Sequence, residues 1–198
     1  LEQFQLHHFL LSALDCAYWD LFGKLENKSF SGINQLENKT LAESSITISI
    51  AEIDEQIRKI ENSSWNKFKV KCNGFNLENT EKLLNLNRNI ALDANASFTK
   101  EDCLFIQETS GFQKLMYIEQ PLEIGNFGIL KNGNSVNWMA DEDCQDITFL
   151  EKLKPYYSSI NIKLMKCGGL TPALEMITEA KKLGYKIMLG CMTESSIG

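Results

Sequence analysis

Five short apolar runs in this sequence each end in a charged residue, in the order lysine, acid, acid, acid, lysine. Charged side chains at the ends of successive strands are typical of the carboxyl-terminal mouth of a (β/α) barrel, where such enzymes carry out their chemistry. Three carboxylates suit a hard divalent cation, and lysines on either side suit proton transfer. The order therefore predicts an enzyme. The runs end at Lys71, Asp93, Glu119, Asp141 and Lys163.

The three acids occupy the same position in successive units of the chain. If their strands are neighbours, the carboxylates lie close together and raise each other's pKa unless a cation neutralises them. Oxygen ligands without His or Cys favour Mg²⁺, with Mn²⁺ as an alternative, over Zn²⁺. A single acid after a strand is more often a helix cap or a solvated loop residue. The metal prediction therefore depends on Asp93, Glu119 and Asp141 acting together.

The lysines follow a similar logic. Lys69 and Lys71 lie two residues apart on one strand, so their side chains share a face and Val70 points to the other. We expect both lysines inside a barrel, although solvated lysines on an edge strand are the alternative. Two neighbouring ammonium groups would lower each other's pKa, which suits a base. Lys163 could flank a substrate from the far side, whereas Lys166 is predicted to point to the opposite face of its strand.

The elements that position these residues alternate along the chain. A helical pattern over 6–24 precedes a polar linker over 27–45, and strands then alternate with helices at an interval that indicates parallel β/α units. We count seven strands and no eighth. The strands are predicted at 46–50, 67–71, 90–93, 115–119, 136–140, 159–163 and 186–190. The helical segments between them are predicted near 51–60, 78–89, 99–110, 123–131, 146–153 and 171–183.

A doubly wound sheet is the alternative within the α/β class. It would require a glycine-rich turn after the first strand, and residues 50–53 contain no glycine. Charges spread over five strand ends favour the barrel, because an open sheet concentrates its site at one switch point. Gly168 and Gly169 follow the sixth strand, where some barrels bind phosphate, so phosphate binding there stays open.

Composition argues against several classes of function. With 43% hydrophobic residues, the 198-residue chain can bury a core, and its net charge of −6 gives no electrostatic footprint for nucleic acid or a membrane surface. No apolar stretch approaches the roughly 20 residues that span a bilayer, and the first residues lack the basic region of a signal peptide. Six cysteines without a C-x-x-C pair are expected to be reduced and mostly buried. We therefore expect a cytoplasmic protein that acts on a small molecule.

The charged motifs resemble those of the enolase superfamily, specifically its muconate-lactonising subgroup and most closely its L-Ala-D/L-Glu dipeptide epimerases. The resemblance runs over nearly all of the chain, and the motifs occur in the family's order. The matching segments are Phe68-Lys69-Val70-Lys71, Leu92-Asp93-Ala94-Asn95, Ile118-Glu119-Gln120-Pro121, Met139-Ala140-Asp141-Glu142, Asn161-Ile162-Lys163 through Gly169, and Met188-Leu189-Gly190 through Glu194.

This resemblance implies an α/β fold with an incomplete TIM-type barrel. Residues 1–26 would be the terminal helix of a capping domain that leads into the barrel, and residues 27–198 would be the barrel domain. The loops of the cap, the eighth strand and the Asp-x-Asp motif that holds a dipeptide's amino group are missing from the pattern. A barrel usually needs about 250 residues, and an open set of strands leaves edges that can pair with another chain, including a second copy in a homo-oligomer.

The resemblance also implies roles for the charged residues. The three acids would hold one Mg²⁺, which binds the substrate carboxylate and stabilises an enediolate, as is general for this superfamily. Lys71 and Lys163 would remove and return a proton on opposite faces of the α-carbon, with Lys69 as an electrostatic helper. Asn95 and Glu194 would contact substrate, although turn hydrogen bonding and helix capping are alternatives for them.

Three hypotheses follow. The first is a magnesium-dependent dipeptide epimerase. The second is a sibling of the same subgroup: an N-acylamino-acid racemase, an o-succinylbenzoate synthase or a cycloisomerase. The third is a non-catalytic fragment.

Overall fold

The computed structural model describes residues 6–35, 42–133 and 136–192. The strands of these residues form one sheet in which each strand neighbours the next in chain order, from the first to the seventh. The pairs from the first strand to the sixth are parallel. The strands are β1 Ile46–Ile48, β2 Lys67–Lys71, β3 Asn89–Asp93, β4 Ile118–Glu119, β5 Trp138–Ala140, β6 Ser159–Ile162 and β7 Lys186–Leu189.

Strict chain order decides between the two architectures that the sequence left open. A doubly wound sheet reverses its strand order at a switch point, whereas the described strands run from β1 to β7 without reversal. That order is the one found in a (β/α) barrel. The structure therefore confirms parallel β/α units and the predicted seven strands within the described residues.

Helices connect most of these strands. The predicted segment near 123–131 contains only a 3₁₀ turn, Phe127–Ile129, and the predicted linker over 27–45 includes a short helix. The segment near 146–153 begins with another 3₁₀ turn, Ile147–Phe149. The helices are α1 His8–Glu26, α2 Phe30–Ile33, α3 Ile53–Glu61, α4 Leu77–Leu84, α5 Lys100–Glu108, α6 Leu150–Leu153, α7 Leu164–Cys167 and α8 Leu170–Lys182.

Local sequence sets where several helices begin or end. Thr99 and Asp102 form a capping box at the start of α5, each side chain accepting a hydrogen bond from the other's backbone N–H. Asn76 caps α4 by accepting a hydrogen bond from the N–H of Asn79. Asn27 ends α1 in the left-handed region, which Asn tolerates better than most residues.

The described chain divides into two compact units. The first unit comprises residues 1–43, 144–150 and 161–198, and the second comprises 44–143 and 151–160. In the first unit, α1 contacts α7 and α8. The second unit contains β1 to β5 and the carboxyl ends of β2 to β5. The predicted boundary between a capping helix over 1–26 and a barrel domain over 27–198 stays a prediction.

An apolar row fixes the register of the strands in the second unit. The members of this row are paired across neighbouring strands, and each is at most 2% exposed. Because side chains alternate between the two faces, a slip of one residue would turn the whole row to the face that carries Lys69, Lys71, Asp93 and Glu119, and would put those charged residues in the place of the row. The register of the charged strand ends is thus set by hydrophobic burial. The row consists of Val70, Leu92, Ile118 and Trp138.

The cysteines agree with the expectation that they are reduced and mostly buried. All six cysteines lie in described positions and are free thiols, of which Cys72 is half-buried, Cys191 is exposed and the others are buried. Among the described residues, none of the helices has both the length and the apolar character needed to cross a membrane.

Candidate active site

Strand pairing in the second unit brings the charged strand ends side by side. Lys71 is paired with Asp93, and Asp93 with Glu119, so the three side chains share one face of the sheet. Met139 is the partner of Glu119, and Asp141 lies two residues further along on that same face. The three acids are at most 2% exposed. The carboxylates of three neighbouring strands are therefore buried at one edge of the sheet.

Two of the three lysines of β2, Lys69 and Lys71, contact these acids. The Nζ of Lys69 lies 3.0 Å from Glu119 Oε2 and 3.3 Å from Asp93 Oδ2. The Nζ of Lys71 lies 3.3 Å from Asp93 Oδ2 and donates a hydrogen bond of 2.6 Å to Asn95 Oδ1. The side chain of Lys69 is 15% exposed and that of Lys71 is 35% exposed. We call these four charged residues the lysine–acid row; within it, Lys71 is the lysine that is more exposed to solvent.

The pKa of Lys69 is raised rather than lowered. Burial by itself lowers the pKa of this ammonium, but the carboxylates of Glu119 and Asp93 outweigh burial. Our expectation that Lys69 and Lys71 would lower each other's pKa is therefore wrong for Lys69. This lysine is held as a cation by the acids that it contacts.

The backbone is strained where β3 and β4 end. Asn95, Ala96 and Gln120 have φ values of 42°, 64° and 36°, in a region that residues other than glycine rarely adopt. Such conformations cost about 1–3 kcal/mol each and cluster at functional sites. Asn95 also donates its N–H to Asp93 Oδ1 at 3.3 Å. The strain lies directly beside the lysine–acid row.

Gln120 is a buried residue to which the sequence analysis gave no role. It follows Glu119 directly, and its Oε1 accepts hydrogen bonds of 3.1 Å from the N–H groups of Asp141 and Asp143. Its Nε2 donates to the carbonyl oxygen of Leu122 at 2.8 Å and to Asp143 Oδ2 at 2.9 Å. A polar residue placed directly after a buried strand and before a proline was the signal in the sequence that could have identified it.

Asp143 is a second buried acid near the ends of the strands. Besides the bond from Gln120, it accepts hydrogen bonds of 2.7 Å from the hydroxyl of Tyr157 and from the N–H of Gly125. Burial, and then the Asp143 carboxylate, raise the pKa of Tyr157, so its hydroxyl remains a donor. Asp143 is therefore held by fixed dipoles.

The fit to a divalent cation depends on the type and placement of the ligands. Within residues 6–35, 42–133 and 136–192, no group of three or more Asp, Glu, His or Cys side chains is arranged to hold a metal ion, and Asp93 and Glu119 are paired with lysines instead. The donor set nevertheless fits Mg²⁺, because three buried carboxylates lie on one face at neighbouring strand ends. Binding a cation would exchange lysine contacts for metal contacts.

The remaining predicted residues lie elsewhere in the chain. Lys163 belongs to the first unit, where it is half-buried and precedes α7 in an extended backbone conformation. Glu194 lies outside the described residues. Our reason for setting Lys166 aside is wrong, since this residue lies in helix α7 and not on a strand. Its Nζ donates hydrogen bonds of 3.1 Å to the carbonyl oxygens of Cys144 and Asn161, which ties together two segments of the first unit.

A carboxylate of the chain itself lies at the glycine pair. Asp15 accepts hydrogen bonds from the N–H of Thr171 at 3.0 Å and from its hydroxyl at 2.6 Å. A Cβ on Gly169 would lie 2.5 Å from Asp15 Oδ2. We call this arrangement the Asp15 clasp. It places a negative charge at the start of α8, where a bound phosphate would compete with it, so the geometry does not favour phosphate binding there.

Comparison with known proteins agrees with this geometry. Residues 52–198 match the family model described as Enolase C-terminal domain-like. The chain belongs to this family. As an α/β protein of the enolase superfamily it has the TIM-type barrel fold, of which the described residues contain seven strands.

Relatives of this enolase C-terminal domain-like chain include named epimerases. An L-Ala-D/L-amino acid epimerase of Maribacter sp. is 36% identical over 205 residues, which cover 100% of this chain and 60% of that protein. An enolase family member from Agrobacterium tumefaciens, with homology to dipeptide epimerases and with bound sodium and L-Ala-L-Glu, is 33% identical. Its TM-score is 0.83, over 95% of this chain and 59% of that one.

A third relative contains a magnesium ion. The dipeptide epimerase from Methylococcus capsulatus, complexed with Mg and the dipeptide L-Arg-D-Lys, is 27% identical with a TM-score of 0.83, and the match covers 99% of this chain and 59% of that one. The chain thus spans about 60% of the length of the relatives that it matches.

Proposed function

We propose that this protein carries the metal-binding and proton-transfer residues of a dipeptide epimerase of the L-Ala-D/L-Glu type. The reaction would invert the α-carbon of the second residue of the dipeptide through an enediolate. The observation that carries this proposal is the lysine–acid row, in which Lys69 and Lys71 lie within 3.3 Å of buried carboxylates of the two following strands.

The acids would hold one Mg²⁺ per site, and Mn²⁺ could replace it. Asp93, Glu119 and Asp141 supply oxygen ligands of the kind that these ions prefer. When bound, the ion supplies positive charge that attracts the substrate carboxylate and makes the neighbouring C–H bond more acidic. The Mg complex of the Methylococcus capsulatus relative supports the choice of ion.

Lys71 would act as the general base. Its ammonium is oriented by Asn95 Oδ1 and Asp93 Oδ2, and 35% of its side chain is exposed. In its neutral form it would take the proton from the α-carbon, and the electron pair of the broken C–H bond would move toward the carboxylate. Asn95 is thus better supported as a partner of Lys71 than as a direct contact to substrate.

Two further lysines complete the proposal. Lys69 is shielded and held as a cation, so it would contribute a fixed positive charge near the substrate carboxylate. Lys163, at the end of β6, would return a proton to the opposite face of the α-carbon. Proton removal on one face and return on the other inverts the stereocentre.

Deuterium exchange tests the proposal. The protein is incubated with L-Ala-L-Glu and MgCl₂ in D₂O, and the product is followed by proton NMR and by mass spectrometry. We expect loss of the Glu α-proton signal, a gain of one mass unit and formation of L-Ala-D-Glu. A chelator should stop all three changes, and added Mg²⁺ should restore them.

A panel of substrates separates the alternatives. Exchange with N-acyl amino acids but not with dipeptides would support a racemase of the same subgroup instead. Absence of exchange with dipeptides, with N-acyl amino acids and with any other acid that carries an α-proton, from protein whose circular dichroism shows a folded α/β chain, would reject both enzyme hypotheses and leave the non-catalytic one.

A further inference from the structure

Gln120 is hydrogen-bonded to all three loops that follow the acid-bearing strands. Its carbonyl oxygen accepts a hydrogen bond of 2.8 Å from the N–H of Ala96, in the loop after β3. Its side-chain oxygen accepts from the N–H groups of Asp141 and Asp143, in the loop after β5. Gln120 itself begins the loop after β4. One fully buried side chain and its carbonyl therefore connect the segments that carry the three acids.

The side chain of Gln120 is itself held in one orientation. Its Nε2 donates to Asp143 Oδ2, and that oxygen also accepts from the hydroxyl of Tyr157. Gln120 and Tyr157 are 0% exposed, and Asp143 is 3% exposed. Since the amide nitrogen points at a carboxylate, the amide oxygen must point at the two N–H groups, and the amide cannot flip without losing both sets of bonds.

Hydrophobic packing alone does not account for this arrangement. A protein with a buried, hydrogen-bonded carboxylate is often no more stable than a protein with an apolar side chain of the same size at that position. Burial of the carboxylate therefore adds little to the free energy of unfolding. Gln120 also adopts a φ of 36°, which costs free energy. Outer partners of a metal site, by contrast, orient the ligands, and losing one typically costs about 10- to 100-fold in metal affinity.

We propose that Gln120, Asp143 and Tyr157 form a positioning network that fixes the backbone of Asp141 beside Glu119, so that both carboxylates can bind one divalent cation. This inference rests on the proposed function, because it assigns the network to that metal site. None of the three residues would touch the substrate. They would act through Asp141 and Glu119.

The test removes one hydroxyl from the far end of the network. Tyr157→Phe deletes the bond to Asp143 and keeps the buried ring. Tyr185→Phe is the matched control, since the hydroxyl of Tyr185 is also buried and donates a hydrogen bond of 2.7 Å, but to the carbonyl oxygen of Leu150 within the first unit. Mn²⁺ binding is measured by electron paramagnetic resonance, and amide hydrogen exchange of Asp141 and Asp143 by NMR.

We expect Tyr157→Phe to weaken Mn²⁺ binding about tenfold and to speed amide exchange at Asp141 and Asp143. Tyr185→Phe should change neither quantity, although both variants lose a buried hydroxyl. Gln120→Met, which removes every side-chain hydrogen bond of Gln120, should have the larger effect on Mn²⁺ binding and on amide exchange. If Gln120→Met does not fold, Tyr157→Phe decides the question.

The outcomes separate this inference from the proposed function. Wild-type Mn²⁺ affinity and amide exchange in Tyr157→Phe would overturn the network, as would equal losses of Mn²⁺ affinity in the two tyrosine variants. Failure of the unmodified protein to bind Mn²⁺ would instead reject the metal site of the proposed function. If the unmodified protein does not bind Mn²⁺, unchanged amide exchange in Tyr157→Phe would also overturn the positioning of Asp141 by the network. Faster amide exchange in that variant would support this positioning.

Discussion

Carboxylates meet different partners in the lysine–acid row of the second unit and in the Asp15 clasp of the first. In the second unit, Asp93 and Glu119 contact the ammonium groups of Lys69 and Lys71. In the first unit, Asp15 accepts hydrogen bonds from the N–H and the hydroxyl of one threonine. Peptide and hydroxyl dipoles that are fixed by a helix hold a carboxylate in place, whereas an ammonium on a long side chain can move away. Under the proposed function, the carboxylates of the lysine–acid row would exchange their lysine partners for a cation, whereas Asp15 of the clasp would keep its partners.

Two lysines show the same contrast. Lys69 is surrounded by carboxylates, which raise its pKa despite burial. Lys166 is buried too, but its ammonium donates to two backbone carbonyl oxygens of the first unit. We infer that Lys69 contributes charge to a site, and that Lys166 joins segments of the fold. The contrast shows that burial of a lysine does not identify a site unless its partners are known.

The largest expected effect is the loss of epimerisation in lysine variants of the site. Lys71→Met and Lys163→Met should each lower the epimerisation rate by about 10²- to 10⁴-fold, because each removes a proton-transfer group. Lys166→Met is the matched control, and it should lower thermal stability while leaving the rate per folded molecule within about twofold of wild type. A Lys163→Met protein that epimerises L-Ala-L-Glu at the wild-type rate would reject the role of Lys163.

The second effect concerns metal affinity and separates the two kinds of carboxylate. Glu119→Gln should weaken Mn²⁺ binding by more than about 100-fold, because it removes a proposed ligand and losing an outer partner alone costs about 10- to 100-fold. Asp15→Asn removes a half-buried negative charge from the clasp and should leave Mn²⁺ affinity unchanged. Calorimetric titration measures both. Equal Mn²⁺ affinity in the two variants would remove the distinction between the row and the clasp.

A third, smaller effect tests what Asn95 does. Asn95→Gly keeps the positive φ accessible and removes the oxygen that accepts a hydrogen bond from Lys71. If Asn95 positions Lys71, we expect kcat to fall about tenfold with KM unchanged, since hydrogen bonds to charged groups contribute about 1.5–3 kcal/mol. A rise in KM at constant kcat would show instead that Asn95 binds substrate, as we first predicted from its motif.

The smallest effect on function is expected at the clasp. Thr171→Val removes the hydroxyl that contacts Asp15 and should lower the free energy of unfolding by about 1 kcal/mol. The rate of deuterium exchange into L-Ala-L-Glu should not change. Urea denaturation and the exchange assay, performed on the same preparation, measure the two quantities. A loss of activity without a loss of stability would contradict a purely structural clasp.

Much of the fold could be predicted because its signals are local. The strands were predicted within a few residues, since each is a short apolar run bounded by polar or glycine residues, and the alternation in β2 correctly placed Lys69 and Lys71 on one face. The residues of the lysine–acid row could be identified for the same reason. Strand ends in chain order become neighbours in the sheet, so position along the sequence predicts position in space.

What could not be predicted depends on contacts between distant residues. Tyr157 and Gln120 meet at Asp143, and nothing in their local sequence indicates this. Thr171 contacts Asp15 across 156 positions of the chain. The orientation of Lys166 was predicted for the wrong reason, because β6 ends at Ile162 and a short helix follows, whose start has no side-chain cap to mark it in the sequence.

The central claim is that two lysines act on opposite faces of one α-carbon. Deuterium exchange from L-Ala-L-Glu and from L-Ala-D-Glu, measured separately in Lys71→Met and Lys163→Met, tests it most directly. Each variant should still exchange the α-proton of one epimer, each a different one, and neither should interconvert the epimers. If both variants exchange the same epimer, or if either interconverts the epimers at the wild-type rate, the two-lysine account is contradicted.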